Sequence, residues 1–296
     1  MIRRHNHDLS YLEFPHLSEY AEIRHGIFTR LGGFSKGRYQ GLNIGMGNGD
    51  SLDHVLQNRA AISNCLEHCE LVFANQVHGT TIINISKCNP ASVSVQPPPP
   101  SGGRLGGGKC CHLPSHRPPP AGRGSERLPA DDSIYSDKTK SGDAMITNFP
   151  GKYLVIQTAD CQAVLIYDPI RRAVANIHSG WRGSILNIIG LTIQTMIKEF
   201  DSDPKNLLTG IGPSLGPCCA EFIHYRTEIP KAFWSYKNRK DCFDFWAISK
   251  DQLTEAGIPS NHIVSSNLCT RCRTDLFFSY RKERLTGRFA TVIGIT

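Results

Sequence analysis

The stretch from residue 153 to 177 constrains the fold most. Three apolar runs, Tyr153-Leu154-Val155-Ile156, Ala163-Val164-Leu165-Ile166-Tyr167 and Ala173-Val174-Ala175-Asn176-Ile177, are spaced as strands, and the turn signal Asp168-Pro169 separates the last two. A hairpin closing around residues 169–172 pairs antiparallel, which rules out a purely parallel sheet and brings position 162 opposite about position 178. Cys161 and His178 then sit side by side at one sheet end. A thiol beside an imidazole begins either a metal site or a Cys/His nucleophile pair.

The rest of the chain supports an α+β fold, a mixed sheet with helices packed on it. Ile23 to Thr29, Leu71 to Phe73, Thr81 to Ile85, Leu207 to Gly212 and Ala290 to Ile295 read as strands, and Leu52 to Glu67 and Asp251 to Ala256 as helices. A further helix, capped by Ser184, carries apolar residues Ile185, Ile188, Ile189, Ile193, Met196, Ile197 and Phe200. A Gly-rich loop spans Leu31 to Asp50.

The segment from Asn89 to Ala130 departs from this pattern. It holds ten of the 18 prolines in 296 residues, with Gly-Gly and Gly-Gly-Gly runs, and such composition buries too little apolar surface to offset chain entropy. It reads as a disordered insertion into one domain spanning 1–296, with its core at about 24–296. The insertion also carries +4 of the formal net charge of +7, through Arg104, Lys109, Arg117, Arg123 and Arg127 against Glu126. A nucleic-acid binder places its surplus on a folded face, so no nucleic-acid partner is expected. No apolar run reaches the length of about 20 residues that a membrane span needs. Eleven cysteines at irregular spacing, with no apolar segment after Arg3-Arg4, point to reduced thiols and a cytoplasmic location.

Other residues can serve chemistry near Cys161 and His178. Gly180-Trp181-Arg182-Gly183 places an aromatic and a cation at a strand-to-helix junction, where free N–H groups and Arg182 suit an anion such as phosphate. His78, in Gln76-Val77-His78-Gly79, is a candidate third ligand, and Asp160 a candidate to orient an imidazole or a water. Cys269-Thr270-Arg271-Cys272 has no second Cys-x-x-Cys to complete a structural zinc site, and the adjacent Cys218 and Cys219 read as core thiols. A multicopper centre needs His-x-His pairs, and the chain has one, His5 and His7, outside these motifs.

Taken in order, Phe28-Thr29-Arg30, Leu42-Asn43-Ile44-Gly45, Asn58-Arg59, Gln76-Val77-His78-Gly79, Gly142-Asp143-Ala144, Thr158-Ala159-Asp160-Cys161, His178-Ser179-Gly180-Trp181-Arg182-Gly183, Ile211-Gly212-Pro213, Phe278-Ser279-Tyr280-Arg281 and Thr286-Gly287-Arg288 resemble one family. This is the laccase-domain family, formerly multicopper polyphenol oxidoreductases and now treated as purine nucleoside phosphorylases, with some members described as peptidoglycan editing factors. The resemblance implies zinc, with copper an alternative, bound by residues matching His78, Cys161 and His178. It implies phosphorolysis of adenosine, inosine, guanosine and methylthioadenosine, deamination of adenosine, and a fold similar to the cytotoxic necrotizing factor deamidases. Catalysis is then expected at His78, Asp160, Cys161 and His178, with Asn43, Arg59 and Arg182 binding nucleoside or phosphate. Two other readings stand beside it: a Cys161/His178 hydrolase or amidase acting on peptide or peptidoglycan precursors, and a copper polyphenol oxidoreductase.

Overall fold

The computed structural model describes residues 1–87 and 140–296, so the proline-rich segment at 89–130 lies outside the described residues. Twelve strands are present among them: β1 (Ile2–Asn6), β2 (Leu9–Glu13), β3 (Ile23–Phe28), β4 (Glu70–Val72), β5 (Ile82–Asn84), β6 (Ala144–Thr147), β7 (Lys152–Thr158), β8 (Gln162–Asp168), β9 (Ala173–Ser179), β10 (Leu208–Ile211), β11 (Ile263–Ser265) and β12 (Phe289–Ile295). They form two six-stranded sheets rather than one, in the orders β1-β2-β3-β12-β7-β4 and β11-β10-β8-β9-β6-β5. Both are mixed: β4 pairs parallel with β7, and β5 with β6. Six α-helices are present among the described residues: α1 (Leu52–Cys65), α2 (Trp181–Ile185), α3 (Ile188–Phe200), α4 (Tyr225–Glu228), α5 (Phe245–Glu255) and α6 (Tyr280–Glu283). None is long and apolar enough to cross a membrane. The chain is α+β.

The hairpin predicted from the apolar runs is β8–β9, with Gln162 opposite Ser179 and Ala163 opposite His178, one residue from the expected register. Both strands are buried along their whole length, which is why they read as continuous rather than alternating apolar runs. The period of two is still visible in the packing. Ala163, Leu165 and Tyr167 of β8 join Leu154 and Ile156 of β7 and Ile293 of β12 in a core between the two sheets. Val164 and Ile166 face the opposite way, onto Ile188, Ile189, Ile193 and Met196 of α3 and Leu253 of α5. On the far side of the other sheet, Ile62 of α1 packs with Val155 and Val292. The order of layers is therefore helix, sheet, sheet, helices. Asn176 ties the sheets together by donating to the carbonyls of Leu154 and Thr291 at 2.9 and 2.8 Å.

Helix α3 does not begin at Ser184. Ser184 lies within a short helix, α2, that ends at Ile185, and Asn187 adopts a left-handed conformation (φ 55°) whose side chain accepts the Gly190 amide and starts a second helix. Asparagine tolerates that backbone and supplies the cap oxygen, two properties that serine combines less well. Ser184 instead bonds Ser179 and the Gly180 carbonyl.

His25 on β3 gives the fold a pH dependence. It is buried and accepts the Phe14 amide at 2.8 Å, so the neutral ring is the one that fits. Burial pushes its pKa down from 6.5 to about 4. Above pH 6.5 the ring is neutral in folded and unfolded chains alike, so stability is fully retained there. Between 6.5 and 4 the unfolded chain binds the proton first, and about 3 kcal/mol should be lost as pH falls through that window. Denaturant unfolding at a series of pH values checks this; His25→Gln, which cannot titrate, should flatten the profile.

Candidate active site and metal centre

Strand pairing gathers the site at one end of the second sheet. Cys161 immediately precedes β8, His178 lies near the end of β9, and Asp143 precedes β6, which pairs with β9 through Ala144 and Ile177. His78 stands in the loop that enters β5, the neighbour of β6. The donor atoms of His78, Cys161 and His178 all lie within 4.8 Å of one another. Cys161 Sγ is 3.9 Å from His78 Nε2, and the imidazole rings meet edge-on with centroids 4.8 Å apart.

The carboxylate that organises these donors is Asp143, not Asp160. Asp143 Oδ1 lies 2.8 Å from His178 Nδ1; a carboxylate accepts, so Nδ1 carries the proton and Nε2 is free to ligate. The same side chain accepts the amides of His78 (2.9 Å), Gly79 (2.7 Å) and Val77 (3.3 Å). It thus fixes two of the three donor residues at once, including His78 in its left-handed backbone (φ 59°). Burial pushes the Asp143 carboxyl up, but the His178 hydrogen bond and the amides outweigh it and hold it below its usual value. Asp160, also left-handed (φ 92°), accepts from Thr270 Oγ1, Ser279 Oγ and the Arg281 amide at 2.6–2.7 Å. It anchors the start of α6, with Tyr280 and Arg281, rather than an imidazole.

Burial pushes the Cys161 thiol up, but the His178 imidazolium and hydrogen bonds with both histidines pull it down to about 6. Burial likewise lowers His178, and the Cys161 thiolate and Asp143 raise it to about 9. Two imidazoles and a thiolate, with one ring oriented by a carboxylate, suit a tetrahedral ion with a fourth position open, where donors stand about 3.3–3.8 Å apart. Gly180 keeps that space clear: a Cβ there would meet His78 Cδ2 at 3.1 Å and Cys161 Sγ at 3.3 Å.

Two clefts meet at the donors. One, about 520 Å³, is lined by Gly45 to Asn48, Gln76, Gln157 and Arg288. The other, about 540 Å³, is lined by Trp181, Arg182, Phe222, Phe245 and Arg281. His78, Ala159, Cys161 and Tyr280 belong to both.

Of the residues expected to bind substrate, only Arg182 reaches a cleft, stacked 4.4 Å over the Trp181 ring. Arg59 is fully buried, with its guanidinium over Phe73 and its Nε and Nη2 donating to the Ile44 carbonyl. Asn43 is also fully buried, donating to Asp50 and accepting from the amides of Gly45 and Arg288. Both therefore shape the 43–50 loop from behind. Two cleft-lining cations were given no role by the motifs that contain them, Arg288 in Thr286-Gly287-Arg288 and Arg281 in Phe278-Ser279-Tyr280-Arg281.

The fold and site define an α+β protein built around one two-histidine, one-cysteine donor set between two clefts. The chain belongs to the multi-copper polyphenol oxidoreductase laccase family, whose model matches residues 24–296. It is 28% identical to a purine nucleoside phosphorylase of Bacteroides thetaiotaomicron over 97% of each chain. It is 27% identical to the purine nucleoside phosphorylase YfiH of Escherichia coli over 90% of each. The crystal structure of the hypothetical protein YfiH of Bacillus licheniformis superposes with a TM-score of 0.76 at 25% identity, covering 99% of both chains. That of YlmD from Geobacillus stearothermophilus gives 0.76 at 24% identity over 99% of this chain and 97% of the other.

Despite the family's name, the described residues hold two groups of donors suited to a metal, this one and a cluster of four cysteines. His5 and His7 join neither group, and His5 lies on β1, an edge strand of the other sheet.

Proposed function

We propose that the chain is a zinc-dependent purine nucleoside phosphorylase that also deaminates adenosine. One observation carries the reading: the two-histidine, one-cysteine set opens between an aromatic cleft and a polar cleft bearing an arginine. Trp181, Phe222 and Phe245 offer faces and edges for a purine base. Arg288 and the Gly45-to-Asn48 loop offer a cation and close backbone approach for phosphate. A zinc ion held by His78, Cys161 and His178 would supply Lewis acidity and activate water at its open position. In phosphorolysis, a phosphate oxygen forms a bond to the ribose C1′ as the bond from C1′ to the base nitrogen breaks. The base leaves with its electron pair and takes up a proton.

Chromatography of adenosine incubated with purified protein tests this, combined with metal analysis. Adenine and ribose-1-phosphate should form only with phosphate present, and inosine without it. Deamination needs C6 of the base at the donor set and consumes water alone, so Arg288→Ala should slow phosphorolysis roughly 10- to 150-fold while sparing deamination. The same split in Arg182→Ala, with Arg288→Ala unaffected, would place phosphate in the aromatic cleft instead.

The Cys161–His178–Asp143 alignment supports a second reading, a thiolate nucleophile with His178 as its base. A metal-free protein that cleaves amides and is rapidly alkylated at Cys161 by iodoacetamide would establish that reading against the first.

A further inference from the structure

A second donor cluster lies apart from the three-residue set. Cys218 and Cys219 sit in a helical turn closed by the Cys219 and Ala220 amides on the Gly216 carbonyl, and the chain brings Cys269 and Cys272 against it. All four sulfurs lie within 4.8 Å of one another. Cys272 Sγ is 3.7 Å from Cys218 Sγ and 3.5 Å from Cys219 Sγ.

We propose that Cys218, Cys219, Cys269 and Cys272 bind a second, structural zinc ion through four thiolates. Zinc–sulfur bonds of about 2.3 Å at the tetrahedral angle set sulfurs about 3.8 Å apart, close to the spacings seen. A disulfide would bring two sulfurs to about 2.05 Å and leave two over.

The surroundings suit the negative charge of a four-thiolate ion. Cys269 Sγ accepts the Gly216 amide at 3.4 Å, and the Arg271 cation interacts electrostatically with Cys219. Cys219 and Cys269 are buried while Cys218 and Cys272 are exposed, so the ion has a way in.

Four protein ligands leave no open position, so this ion would hold structure rather than react substrate. Ser214 pairs with Cys269, and the Thr270 amide donates to the Ser214 carbonyl. Ser214 and Leu215 line the aromatic cleft, and Thr270 supports Asp160. The ion would clamp together the two loops that form this wall.

The test uses the full-length Cys161→Ser variant, which removes the thiol of the three-donor site and keeps these four, so its outcome is independent of the proposed reaction. Produced in cobalt-supplemented medium, it should carry a strong thiolate-to-cobalt absorption in the near ultraviolet. Cys218 and Cys272 should resist N-ethylmaleimide until a chelator is added. Adding Cys272→Ser should remove the band together with about one cobalt per chain. Three results would overturn the proposal: no thiolate–cobalt band in Cys161→Ser, a band that survives Cys272→Ser, or an intact mass two hydrogens light from a disulfide among the four. Should the Cys272 variant not fold, the spectrum and the alkylation pattern of Cys161→Ser decide the matter alone.

Discussion

Cys161→Ala is expected to abolish phosphorolysis and deamination of adenosine together, and to empty the three-donor site of metal. The thiolate is one of three protein donors, and the two imidazoles left behind make a weak site. The loss should exceed the roughly 10- to 100-fold that removing an outer partner of a metal ligand costs. Metal analysis of the variant beside product chromatography separates the possible causes. If activity disappears while metal stays bound at full stoichiometry, Cys161 acts as a nucleophile instead of a ligand. Full activity in Cys161→Ala would remove the donor set from the mechanism.

Asp143→Ala should be nearly as severe, although its side chain need touch neither metal nor substrate. It accepts from the His178 ring and from three consecutive amides, those of Val77, His78 and Gly79. Removing it frees two of the three ligands and strands buried donors, at about 1–3 kcal/mol for each left without water. Metal affinity should fall roughly 10- to 100-fold, with a lowered unfolding midpoint. Asp143→Asn keeps the shape but has a single accepting oxygen, so it should fall between the two. Chelator competition reads the affinity directly, and wild-type affinity in both variants would show that the ligands are held by something else.

Strands were legible in the sequence where burial on both sides made them continuously apolar, as in β8 and β9. The β1–β2 hairpin was not read, because Ile2–Asn6 is mostly exposed and carries two arginines and a histidine. Cys161 and His178 were legible because a hairpin converts spacing into proximity. Asp143 stood only in the motif Gly142-Asp143-Ala144 without a role, since it reaches His178 from 35 residues earlier, just before β6, and no local spacing reveals that contact. Arg59 and Asn43 misled for a different reason. Asn43 lies in the Gly-rich loop, where polar residues usually face solvent or substrate, and Arg59 lies on α1, where a fully buried arginine is rare. The four-cysteine cluster is not legible in the sequence because Cys269-Thr270-Arg271-Cys272 has no second Cys-x-x-Cys as its partner. The partner is a vicinal pair more than 50 residues away, brought near by the pairing of Ser214 with Cys269.

The donors of the active site come from distant parts of the chain, with His78 83 residues from Cys161. An unfolded chain offers no such constellation, so an ion bound there is bound to the native state alone. Its binding free energy then counts as folding free energy, about 2.7 kcal/mol when free metal stands at 100 times the dissociation constant. An ion held there would work as a reversible cross-link between distant segments of the chain. How firmly this protein stays folded would then depend partly on the metal supply of its surroundings.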